Sequence, residues 1–200
     1  MQNYQLQLDK IIESLKSKPR LLLHSCCGPC SSYVLEYLTK FFDITVYYSN
    51  SNIDTLPEFN KRYQNQKKAC EKFNAQVLEE KYDHMEFLQA VKGLESEAEG
   101  GARCQKCFEL RLRHAAYFAA LNGFEYICST LTVSPHKNAH AINEIGIKAA
   151  KEHGVRWLVS DFKKRGGYLR SVELSRSLGL YRQSYCGCEF AKGHLDNSTA

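Results

Sequence analysis

Short apolar runs alternate along this chain with longer stretches of helical spacing. The runs Leu21–Ser25, Ile44–Ser49, Ala75–Glu80, Glu125–Ser129 and Val155–Val159 are bounded by polar or turn residues and are predicted strands. Between them the pattern predicts helices over Ser31–Phe41, Leu56–Phe73, His84–Lys92, Gln105–Asn122, Asn138–His153 and Arg170–Gly179. Phe108, Leu112, Ala115, Ala116 and Ala119 lie on one stripe, and Gly123 sits where that helix would stop. No element is assigned to the polar stretch Met1 to Arg20. Such alternation predicts an α/β fold: a mostly parallel sheet with helices on both faces. One domain over residues 1–194 is expected, with 195–200 a frayed tail.

Ligands of such folds bind beyond the carboxyl ends of the strands, where strand order reverses. Three loops are expected on that rim: the one after the first strand, Thr130–Asn138 and Asp161–Tyr168. Ser184–Phe190 is placed to fold over it.

Composition adds one signal. Hydrophobic residues make up 44% and charged residues 24% of 200 residues, as in ordinary globular domains. A net charge of +5 permits nucleic-acid binding without demanding it. The N-terminus has no signal-peptide apolar core, and no run is long and apolar enough to span a membrane, so a cytoplasmic protein is expected. Nine cysteines are many for that compartment, and an odd number fits poorly with a disulfide framework. Seven form three groups: Cys26, Cys27 and Cys30; Cys104 and Cys107; Cys186 and Cys188. Cys70 and Cys128 stand alone and are expected to be buried as small hydrophobes.

Cys27-Gly28-Pro29-Cys30 matches the thioredoxin tetrapeptide, and a helix start lowers a thiol pKa. The context argues against thioredoxin: the motif follows the first strand, Cys26 replaces an aromatic, and two further cysteine groups have no place there. Cys104 and Cys107 share one helical face and can hold a metal centre. Cys27, Cys30, Cys104 and Cys107 around zinc remain an alternative. Cys186 and Cys188, separated by one glycine, would close a small strained disulfide if paired, and strained bridges tend to be redox-active; two free thiols or a ligand pair stay open.

At this point the chain resembles the QueH epoxyqueuosine reductases. The resemblance is carried by His24-Ser25-Cys26-Cys27-Gly28-Pro29-Cys30-Ser31, by Glu99-Gly100-Gly101-Ala102-Arg103-Cys104 with Cys107, and by Thr130 to Asn138, Asp161-Phe162-Lys163-Lys164 and Tyr181 to Phe190. It runs in family order over nearly the whole chain. One departure is Ser51, which precedes Asn52 where the family commonly has proline. The resemblance implies a fold akin to the adenine-nucleotide α-hydrolases and a [4Fe–4S] cluster. It implies Cys26, Cys27, Cys104 and Cys107 as cluster ligands and Cys186 with Cys188 as a redox-active disulfide. It also implies one additional metal ion, an iron, with Cys30 as a candidate ligand. The substrate implied is tRNA carrying epoxyqueuosine, whose epoxide is deoxygenated to queuosine in the anticodon loop as the last step of queuosine biosynthesis. An electron donor is required, and its identity is not written in the sequence.

By loop position, His136 and Asp161 are candidates to protonate the leaving oxygen. Lys137, Lys163, Lys164 and Arg165 are candidate phosphate contacts, and Tyr168 a candidate stacking platform. Lys61, Arg62, Lys67 and Lys68 form a helical charge run expected to be a solvated face. The alternatives are a cluster-dependent tRNA sulfurtransferase on the same fold, or a zinc-stapled nucleic-acid-binding module.

Overall fold

The computed structural model describes residues 3–194; the predicted tail at 195–200 lies outside them. Five strands form one fully parallel sheet: β1 (Arg20–His24), β2 (Asp43–Tyr48), β3 (Gln76–Glu79), β4 (Tyr126–Ser129) and β5 (Arg156–Trp157). Their order is β3-β2-β1-β4-β5, so the reversal point lies between β1 and β4. There Leu21 pairs with Tyr126 and His24 with Ser129.

Among the described residues, seven α-helices connect and flank the strands: α1 (Tyr4–Ser14), α2 (Gly28–Leu38), α3 (Leu56–Lys72), α4 (His84–Ala90), α5 (Ala102–Leu121), α6 (Ala139–Glu152) and α7 (Gly167–Ser177). Alternation along β1 explains the two cores, since successive side chains point to opposite faces. Leu22 faces Leu112, Ala115, Ala116 and Ala119 of α5 and Ile142 of α6. Leu21 and Leu23 face Val34, Leu35 and Leu38 of α2 and Cys70 of α3. Small alanines on the α5 stripe let that helix lie close to the sheet. The sequence assigned no element to the start of the chain, yet α1 forms there. It gives Tyr4 to one core and Leu8 to the other, and Asn3 caps it by accepting from the Leu6 amide.

Most differences from the predicted elements concern ends. Helix α2 begins at Gly28 rather than Ser31, because Pro29 fits a first helical turn, where no amide partner is needed. Helices α5 and α7 also start three residues early, and β5 shrinks to two residues because only Arg156 and Trp157 pair with β4. No helix is long and apolar enough to cross a membrane among the described residues.

Candidate active site

Sequence places Cys26 two residues beyond the end of β1, at the reversal point. The backbone there must turn from strand to helix, and Cys27 sits at the N-cap of α2 in extended conformation. The Cys26 amide donates to Thr130 Oγ1 (3.3 Å), the first residue after β4, and so ties the two loops together. Gly28 is required by close approach: a Cβ there would collide with the Asn65 backbone carbonyl of α3.

The result is a compact thiol group. The sulfurs of Cys26, Cys27 and Cys30 all lie within 4.8 Å of one another, and Cys26 Sγ is 3.8 Å from Cys27 Sγ. Gln183 donates from Nε2 to Cys27 Sγ (3.1 Å). Hydrogen bonds from Cys27 and Cys30, with help from Arg111, hold Cys26 well below the usual thiol range. The same contact with Cys26, together with burial, pushes Cys27 up to about 12. Cys30 is raised well above its ordinary value by both neighbours. Low titration thus falls on Cys26 rather than on the N-cap residue. Thiolates packed this closely repel, so the trio favours a soft cation that shares their charge.

The other cysteines border this place without joining the trio: among the described residues only Cys26, Cys27 and Cys30 bring potential metal ligands within 4.8 Å of one another, and neither Cys104 nor Cys107 lines the cavity described below. On α5, Cys104 is buried and shares an apolar core with partly buried Cys26, while Cys107 shares one with Cys188, Phe87 and Val91. The Gly100 amide donates to Cys104 Sγ (3.2 Å) and Arg111 Nη1 approaches Cys107 Sγ (3.9 Å). The segment Ser184–Phe190 does fold over the rim: the Asp54 amide donates to the Gly187 carbonyl (3.0 Å) and Arg62 Nη1 to the Cys186 carbonyl (3.0 Å). Lys137 donates from Nζ to Cys186 Sγ (3.3 Å) and lies 3.5 Å from Glu99 Oε1. Burial opposes the Lys137 charge, but Cys186 and Glu99 outweigh it and raise its pKa. Desolvation pushes Cys188 up to about 12. All nine cysteines are free thiols here, Cys186 and Cys188 included. Cys70 and Cys128 are buried in the cores, where desolvation pushes them up to about 11 and about 12.

Between these elements lies a cavity of about 340 Å³, with Cys26, Cys30, Cys186, Arg111, Lys137 and Tyr168 among its walls. His136 also lines it, as do Glu99 and Gln183. Other candidates fall elsewhere. Asp161 is ion-paired with Lys163 (2.6 Å), and neither lines the cavity. Arg165 forks onto Asp9 of α1 (2.6 and 3.2 Å), away from the cavity wall, and Lys164 is exposed beside it. Arg62 is not on a solvated face: it is 2% exposed and bonded to Glu58 and the Cys186 carbonyl.

Two residues at the centre had no role assigned from the sequence, where His24 entered only as the first residue of a motif. His24 is fully buried and pushed down to about 3, chiefly by desolvation. The neutral ring therefore donates from Nε2 to the Ser49 carbonyl (3.2 Å) and accepts at Nδ1 from Ser129 Oγ (2.9 Å), linking the ends of β1, β2 and β4. Arg111 is equally hidden; the one signal for it was its place one turn after Cys107.

Comparisons with known proteins bear on these residues. The family described as Epoxyqueuosine reductase QueH matches residues 21–194. A protein of that name from Streptococcus pyogenes is 47% identical over 191 residues, spanning 92% of this chain and 75% of the relative. One from Staphylococcus aureus is 42% identical, over 96% of this chain and 86% of its own. One from Thermotoga maritima is 35% identical, over 86% and 89%. Among solved structures, the U34-tRNA thiolase NcsA from Methanococcus maripaludis with its [4Fe-4S] cluster is similar in fold, with a TM-score of 0.57, 11% identity, and cover of 94% of this chain and 67% of that one.

Proposed function

Because the chain belongs to the epoxyqueuosine reductase QueH family, we propose that its thiol-walled cavity is where epoxyqueuosine in a tRNA anticodon loop becomes queuosine. The protein is an oxidoreductase of queuosine biosynthesis. The reaction converts an epoxide to an alkene: both C–O bonds break, and the oxygen leaves as water after taking up two protons and two electrons.

The observation that carries the reading is the trio Cys26, Cys27 and Cys30 within 4.8 Å, at the sheet's reversal point, with Cys26 and Cys30 open to a cavity. That donor set fits an iron–sulfur cluster, with soft sulfur ligands in a largely apolar wall and a buried cation nearby. Cys26 and Cys27 are the ligands on which geometry and family resemblance agree. Cys104 and Cys107 complete the set by resemblance, and Cys30 is left for one additional iron. A bound cluster would supply one-electron transfers to the substrate.

The chain's own groups do the rest. The cavity orients the epoxide-bearing ring and limits water around it. Lys137 brings an ammonium within 3.3 Å of Cys186 and so places a hydrogen-bond donor at the sulfur that lines the cavity. Cys186 is thus the sulfur facing an external reductant, with Cys188 behind it. His136 is the better proton donor by position, since it lines the cavity while Asp161 is engaged by Lys163. Tyr168 offers a ring for an unstacked base.

The test is anaerobic purification followed by iron, sulfide and zinc analysis and a visible spectrum. A brown protein that converts epoxyqueuosine tRNA with a strong reductant and without ATP is expected. A colourless protein with zinc and no sulfide would overturn the reading, and strict ATP dependence would favour sulfur transfer instead.

A further inference from the structure

Arg111 lies on α5, one turn beyond Cys107, and is 2% exposed. Its guanidinium forks three ways. Nε donates to the Ser49 carbonyl (3.2 Å), Nη2 to Asn50 Oδ1, and Nη1 reaches Cys107 Sγ (3.9 Å). Asn50 in turn donates from Nδ2 to the Ser25 carbonyl (2.9 Å), immediately before Cys26. A chain of hydrogen bonds therefore runs from the helix that carries Cys104 and Cys107, through Arg111 and Asn50, to the loop that carries Cys26 and Cys27.

Charge makes the arrangement informative. An arginine taken out of water is costly unless an anion compensates it. No ion pair among the described residues includes Arg111. The groups that face it are two neutral oxygens and sulfur, and it forms part of the cavity wall with Cys26 and Cys30. Of the groups it touches, only the Cys107 sulfur can carry negative charge, and sulfurs ionised on a bound metal centre would be the anions that compensate it.

We propose that Arg111 is a positioning residue that sets the spacing between the two cysteine-bearing segments and supplies the counter-charge to the thiolate-held centre between them. This rests on the cluster reading above. A buried cation beside such a centre favours its reduced, more negative state and so raises its potential. The planar fork also cannot be replaced by a point charge, because an ammonium does not present three N–H groups in fixed directions.

The experiment uses the full chain, prepared anaerobically, with Arg111→Gln and Arg111→Lys beside the parent. Iron and sulfide per chain, the visible spectrum and the midpoint potential are read for each. The expected result is a potential shifted downward in Arg111→Gln and close to the parent's in Arg111→Lys, with both variants losing bound iron faster than the parent on dilution into chelator. If Arg111→Gln is too poorly folded to load, Arg111→Lys and Asn50→Ala carry the test: both are expected to lose iron several-fold faster while holding the parent's potential. Parent-like potential in a loaded Arg111→Gln overturns the counter-charge role. Parent-like iron retention in Arg111→Lys and Asn50→Ala overturns the spacing role. A parent that itself holds no iron or sulfide fails at the cluster reading instead, and is told apart by failing before any variant is compared.

Discussion

At the residue scale, Gly187 has a specific task. Its φ of +117 is a conformation L side chains rarely adopt, and a Cβ there would stand 2.8 Å from Arg62 Nη1. The turn that sets Cys186 against Lys137 and buries Cys188 depends on both facts. Gly187→Ala is expected to cost about 1–3 kcal/mol of stability through strain and to lower epoxyqueuosine reduction by tenfold or more. Thermal melts and single-turnover assays check this; an unchanged rate would show that the turn's geometry is dispensable. Lys137→Met is expected to slow alkylation of Cys186 by iodoacetamide with little change in far-UV circular dichroism, because the substitution removes the ammonium at the sulfur. Equal rates would remove Lys137 from the exchange chemistry.

At the element scale, His114 of α5 clamps two neighbours. Its Nδ1 is 3.0 Å from Glu80, just after β3, and its Nε2 is 3.0 Å from Glu86 of α4. The hydrogen bond to Glu80 raises the His114 pKa against an opposing burial effect, and Glu86 adds to it. Glu80 also accepts from Ser49 Oγ, so the clamp reaches the loop that Arg111 holds. A raised folded-state pKa means the imidazolium stabilises fully below the ordinary value near 6.5 and that this is lost as pH rises through the folded value. Denaturant unfolding from pH 6 to pH 9 should therefore show a decline that His114→Gln flattens; identical profiles would mean the clamp contributes nothing. Between α2 and α3, Gly28→Ala forces a Cβ onto the Asn65 carbonyl, and overpacking of this kind costs about 1–3 kcal/mol. The expected signs are a lower melting temperature and reduced iron content, because Cys27 and Cys30 flank that residue.

At the scale of the whole molecule, two apolar cores on opposite sheet faces are built mostly from leucine, isoleucine, alanine and aromatic side chains. They are expected to hold without a metal. Removing iron by chelation under oxidising conditions should lower the melting temperature, as loss of any native-state ligand does, while leaving the far-UV spectrum largely intact. Collapse of the helical signal on iron removal would instead mark a metal-stapled module.

Much was legible beforehand because it is local. Periodicity and turn residues gave the five strands and the helices from residue 28 onward, because burial of one face imposes a fixed repeat on sequence. Cysteine spacing pointed to the first thiol group, because neighbours in the chain there are neighbours in space, and the family resemblance supplied the activity. The first helix escaped because its polar stretch carries few apolar signals, and Tyr4 and Leu8 find their partners only after the sheet exists. Arg111 and Arg62 read as ordinary polar positions, and His24 only as part of a motif, since nothing adjacent in sequence announces the burial of a charged or polar side chain. Lys163 and Arg165 read as free cations for the converse reason: Asp161 and Asp9 neutralise them only when loops and α1 meet. Sequence determined which atoms are available for redox chemistry. Tertiary structure decided which charges remain at the cavity, because pairing and desolvation depend on distances that the chain order does not contain.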